Sequence, residues 1–181
     1  HRALHSFRMA DLRREPAPEP ASTSREGPWL RLLQRLGADV PAWMVYKGVD
    51  SAFSGTGDID TVAPKEDWDK IAELFVAWAR AEHLGPVAMC DHVPNVRHLV
   101  ALDPASRFFF EMDVNCRKVF LGSTLFRPQD LHPLAWTDER GFSYLRPGAT
   151  ALMKLVQNGA SRGGRPNWEG IRVKHVVEGL E

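Results

Sequence analysis

Two cysteines in 181 residues are too few for a disulfide framework. Cys90 and Cys116 each lie beside apolar, strand-like segments, so both are expected to be reduced, buried and structural. That expectation places the chain in a reducing compartment, the cytosol. Long apolar runs are missing too. A membrane span needs roughly 18 such residues, whereas the longest clear run, Leu74 to Ala79, has six. His1 to Arg14 is polar and basic without an apolar centre, so no signal peptide is expected. Net charge is absent: Lys plus Arg and Asp plus Glu each number 23. This excludes a histone-like, wholly basic nucleic-acid binder but leaves room for a local basic patch. Position 1 is not Met, and residues 173–181 read as the middle of a helix, so a longer parent chain is expected.

What is present suits one globular domain with extensions. Apolar residues make up 44% of the chain, enough for a core. Residues 1–21, with Glu15-Pro-Ala-Pro-Glu-Pro20, read as a Pro-rich, semi-rigid arm. Residues 22–160 read as the main domain, and 161–181 as a C-terminal loop, Ser161 to Pro166, and a last helix from Trp168 to Gly179. Within the main domain, Trp29, Leu30, Leu32, Leu33 and Leu36 form a helical stripe that Gly37 is expected to stop. Ala42 to Tyr46 predicts a buried strand, Lys47 to Gly57 a loop with at most one helical turn, and Asp58 to Val62 a second strand. Pro64 opens a helix whose Trp68, Ile71, Leu74, Phe75 and Trp78 share a face, and Gly85-Pro86 ends it. Arg97 to Leu102 and Phe108 to Val114 predict a hairpin around Asp103 to Ser106. Pro147 to Asn158 predicts a helix; residues 115–140 carry no clear signal. The fold expected is α/β in the broad sense (α+β), a short mixed sheet flanked by helices.

Charge is unevenly placed. Asp50 to Glu73 carries seven acids against two bases, and Arg140 to Trp168 five bases and no acid. A magnesium–nucleotide site needs both kinds of block, carboxylates for the metal and cations for phosphates; two solvated faces would read the same way. The sharpest unit is Gly55-Thr-Gly-Asp58-Ile-Asp60. Residues i and i+2 of a strand share a face with Cα atoms roughly 6.5 Å apart, so Asp58 and Asp60 project side by side. Such carboxylates repel unless a cation lies between them, and magnesium suits oxygen ligands. Phe108-Phe-Phe-Glu-Met-Asp113-Val offers a third acid on an apolar strand. Three carboxylates can hold two metal ions about 3.5–4 Å apart.

The order of parts resembles the nucleotidyltransferase superfamily with the DNA polymerase β-like catalytic fold. Tyr46-Lys47-Gly48 matches an apolar strand ending in Gly, Asp58-Ile59-Asp60 the Asp-apolar-Asp element about ten residues on, and Asp113 the lone acid of a later strand. The likeness covers roughly residues 42–160. It implies that a nucleoside triphosphate lies against Lys47, Gly48, Ser51 and Thr56. It implies that Asp58, Asp60 and Asp113 hold magnesium, two ions in all, and that Asp113 serves an acceptor hydroxyl. Lys154 would contact the triphosphate. Where the family has a second small residue, often Ser, this chain has Val49; Ser51, Ser54 or Thr56 would then supply the hydroxyl. The nucleotide and the acceptor, whether small molecule, protein or RNA end, are not specified. Two other readings compete: a non-catalytic module on the same fold, antitoxin-like or regulatory, and a nucleic-acid binder using Arg140 to Arg165.

Other motifs carry less. Cys90, His92, His98 and Cys116 lack zinc spacing. His98, within Val96-Arg-His-Leu-Val100, reads as a packed or exposed strand histidine rather than a catalytic base. Gly163-Gly164 is no P-loop. Trp29, Trp68 and Trp78 fall on apolar stripes and read as core.

Overall fold

The computed structural model describes residues 25–120, 122–161, 171 and 173–180. The Pro-rich arm, the loop after Ser161 with Arg162 and Arg165, and the start of the last helix lie outside the described residues. The element order is α1 (Glu26–Asp39), β1 (Met44–Lys47), α2 (Val49–Ser54), β2 (Ile59–Val62), α3 (Trp68–Ala81), β3 (Val87–Val93), β4 (Val96–Asp103) and β5 (Phe108–Asn115). Then follow β6 (Lys118–Phe120), β7 (Ser123–Phe126), α4 (Pro128–Leu131), β8 (Ala135–Thr137), β9 (Ser143–Leu145), α5 (Pro147–Ser161) and α6 (Val173–Leu180). Seven strands form one mixed sheet in the order β3-β4-β5-β2-β1-β9-β8, while β6 and β7 pair separately. This is an α+β architecture. No described helix is long and apolar enough to cross a membrane.

The period-two pattern of the central strands decides what each face carries. Val45, Ile59, Leu99, Phe110, Met112 and Val114 point to one face and pack under α1 and α3. The helices answer with the stripes their sequences announce: Trp29, Leu32, Leu33 and Leu36 from α1, and Trp68, Ile71, Phe75 and Trp78 from α3. Trp29 and Trp78 stack at 5.7 Å, and Phe110 meets both edge-on. The Trp78 indole N–H donates to the Pro28 carbonyl at 2.9 Å, so the polar end of that ring is also satisfied. On the opposite face, Met44, Tyr46, Val62 and Leu145 form a second, smaller cluster with Phe126 and Leu131, joined by Ala149 and Met153 of α5. That cluster lies over β9, β1 and the end of β2 at Val62. Over the start of β2 and along β5 the same face carries Asp60, Glu111 and Asp113.

Some expectations change. Gly37 does not stop α1 but lies within it, in ordinary helical backbone that packs against Phe142. The 47–57 segment is more ordered than a loop: Val49–Ser54 is helical, with Gly48 and Gly55 in left-handed conformations at its two ends. Cys90 is exposed and Cys116 half-buried, rather than both buried. Cys90 sits on β3, the edge strand, most of which faces solvent. Both cysteines are free. The α5 helix runs past Asn158 to Ser161.

Candidate metal centre

Three side chains converge on the acid-bearing face. β2 and β5 run parallel with Asp60 opposite Asp113, and Asp58 precedes β2. One ligand atom from each of Asp58, Asp60 and Asp113 can be chosen so that all lie within 4.8 Å of one another. This acidic triad can hold a metal ion. It is the one such cluster of His, Cys, Asp and Glu among the described residues, and the scattered Cys/His set does not assemble. Register is locked just below the acids: the Thr61 hydroxyl donates to the Asp113 carbonyl at 2.8 Å, and the Asn115 amide donates to the Thr61 carbonyl at 3.1 Å.

The acids differ in surroundings. Asp60 is 6% exposed, whereas Asp58 and Asp113 are half-buried. Lys47 on the neighbouring strand reaches Asp60 with Nζ 2.5 Å from Oδ2. Even so, the Asp60 carboxyl titrates above the usual carboxylate range. Burial is the main cause, and the charges on Asp58 and Asp113 add to it, together outweighing Lys47. Burial and the Asp60 charge also push the Tyr46 phenol up to about 12.

Gly48 sets the approach of β1 to β2. Its φ is 95°, and a side chain there would collide with the Asp58 carbonyl. Only glycine both turns the chain into α2 and lets it pass directly over the start of β2. Val49 is buried in the core, so position 49 supplies no group to the site. Ser51 does face it, with its hydroxyl donating to the Gly48 carbonyl at 2.8 Å.

Lys47, Gly48, Ser51, Asp58 and Asp60 line a cleft of about 560 Å³, and Lys154 of α5 lines its far side. Thr56 is not brought in: it is exposed, bonded back to Ser51 and Ser54, and borders a separate shallow depression. Several cleft residues escaped the sequence reading: Tyr144, Thr150, Trp136, His175 and Asp138 line it, together with Arg140, which was expected only as part of a basic block. Arg140 donates Nε and Nη2 to Asp138 at 2.7 and 2.8 Å, and Nη1 stands 3.5 Å from Asp50. The guanidinium holds the Asp138 carboxyl below its ordinary range despite burial. The basic block after residue 140 and the acidic block after residue 50 therefore meet in one cleft. The lining mixes carboxylates with cations, paired as Lys47 with Asp60 and Arg140 with Asp138, a composition that suits a cation together with an anionic group bound to it.

A scan against protein-family models and searches of curated proteins and of solved structures find no match to this chain.

Proposed function

We propose that the chain is a magnesium-dependent nucleotidyltransferase that moves a nucleoside monophosphate from a nucleoside triphosphate to an acceptor hydroxyl, releasing pyrophosphate. The observation that carries this reading is the convergence of Asp60 and Asp113 on adjacent parallel strands with Asp58 just before the first, beside a glycine turn and in a cleft with cationic side chains. Magnesium held by the three acids would neutralise charge on the triphosphate and on the leaving pyrophosphate. Asp58 and Asp60 line the triphosphate cleft, whereas Asp113 is not among its lining residues but lies within 4.8 Å of both acids, which fits a role toward the acceptor. Asp113 accepts the proton of the acceptor hydroxyl. That oxygen then attacks the α-phosphorus in line, the new P–O bond forms, and the α–β bridge breaks with its electrons going to pyrophosphate. Gly48 lets backbone approach the phosphates, Ser51 offers the hydroxyl that position 49 lacks, and Lys47 and Lys154 balance phosphate charge.

A second reading, a non-catalytic module on the same fold, is favoured by one feature: Val49 is buried in the core where the resembling enzymes carry a small polar residue. Calorimetric titration with each of the four nucleoside triphosphates, with and without magnesium, separates the two. The enzyme reading expects magnesium-dependent binding of at least one triphosphate, lost in Asp58→Ala. Absence of binding by all four transfers the weight to the module.

A further inference from the structure

His98 stands directly across from Asp113 in the antiparallel β4–β5 pair, on the face that carries the acids. Its Nδ1 lies 2.6 Å from Asp113 Oδ1, and its Nε2 lies 3.7 Å from Glu111 Oε2. An ionised carboxylate only accepts, so the proton of the short contact belongs to Nδ1, which donates to Oδ1. Both partners are largely shielded, with side-chain exposures of 26% and 22%. Shielding strengthens the bond and restricts Asp113 to a narrow range of χ angles. The register leaves β4 little freedom to move His98 away, because all eight residues of β4 pair with β5.

We infer that His98 is a positioning residue: by occupying Oδ1 of Asp113 it fixes that carboxylate so that its other oxygen, Oδ2, is directed to a divalent cation shared with Asp58 and Asp60. This rests on the reading of the triad as a metal centre. The chemistry is that of outer-sphere support, in which a hydrogen-bonded partner orients a ligating group and its loss lowers metal affinity. The hairpin expected from sequence carries both residues, but the role appears only in the register of the strand pair, which sets His98 opposite Asp113.

The test uses the full chain and manganese(II) as the probe, its free concentration followed by paramagnetic resonance. Two variants fill the site without relying on a truncation. His98→Asn places an amide N–H near the position of Nδ1, and His98→Leu offers similar bulk with no donor. The account expects His98→Leu to bind manganese about 10- to 100-fold more weakly than wild type, and His98→Asn to recover most of that loss. Thermal unfolding of the two variants without metal should coincide, so that the difference belongs to the hydrogen bond. Equal manganese affinity in wild type and His98→Leu, with binding lost in Asp58→Ala, overturns the role of His98 alone. Equal weakening in both His98 variants also overturns it, since packing rather than the donor would then be responsible. Absence of manganese binding in wild type overturns the metal centre itself and this inference with it.

Discussion

Asp60 is the residue on which the electrostatics of the site turn. Its carboxyl is buried beside two other acids and titrates above its ordinary value, although Lys47 touches it. The folded protein therefore holds that proton more tightly than the unfolded chain. Stability from this group is complete below the unfolded value of about 3.9 and is lost as pH rises through the higher folded value. Asp60→Asn removes the titration. In metal-free buffer the variant is expected to melt above wild type at pH 7, and the advantage should shrink as pH falls toward about 4. Circular dichroism melts across that range check it; a wild type more stable than the variant at pH 7 would mean that the Lys47 pair outweighs burial. The acids themselves were legible in the sequence, since Asp58-Ile-Asp60 and Glu-Met-Asp113 display their shared faces through period two. Lys47 beside Asp60 was legible only as a neighbour of Gly48. Arg140 was legible as part of a basic block, but Asp138, Tyr144 and the place of all three in this cleft were not, because nothing local links them to residues about 80 to 100 positions earlier.

Among the elements, the turn from β1 into α2 does most to shape the site. Gly48 adopts a φ of 95° directly over the Asp58 carbonyl. Gly48→Ala introduces both backbone strain and a collision, and should cost at least about 1–3 kcal/mol. It should also displace the start of β2, so triphosphate binding is expected to fall with stability. Gly27→Ala in α1 is the matched control, because a methyl there meets only the flexible end of Arg31. Its effect should be within about 1 kcal/mol and favourable, as helix propensity dictates. Urea denaturation distinguishes the two. The same scale explains which elements could be foreseen. The β4–β5 hairpin alternates over eight-residue strands and ends in turn-forming residues, so both signals agree. β6, β8 and β9 have three residues each, too few to show a period. β3 contains Cys90-Asp91-His92 and lies at the sheet edge with solvent around it, so burial imprints no alternation on it.

For the molecule as a whole, the sheet divides labour between its faces. One face, under α1 and α3, holds the larger core; the other has a smaller apolar cluster beneath α4 and α5 and carries Asp60, Glu111 and Asp113 on β2 and β5. The site is thus mounted on strands whose reverse sides are locked by large aromatic side chains. Phe110 shows the coupling: it contacts Trp29, Trp78 and Phe108 on one face, while Glu111 and Asp113 beside it project from the other. Phe110→Ala should cost about 3–5 kcal/mol, measured by urea denaturation, without touching any group in the cleft. An effect below about 1 kcal/mol would contradict the placement of Phe110 at the centre of that core. This layering was readable in outline, because the Trp-rich stripes of α1 and α3 and the alternation of β5 each announce one buried face. The strand order was not, since parallel pairing of β1 with β9 joins residues about 100 positions apart.

The central proposal is that Asp60 and Asp113 on two adjacent strands, with Asp58 just before the first, form a metal site serving a triphosphate. The most direct measurement is a crystal structure grown with manganese and a non-hydrolysable nucleoside triphosphate, read by anomalous scattering at the manganese edge. The account predicts anomalous density among the carboxylates of Asp58, Asp60 and Asp113, with the triphosphate in the cleft between Gly48 and Lys154. Triphosphate bound elsewhere, or a triad that stays free of manganese at saturating concentration, would contradict it.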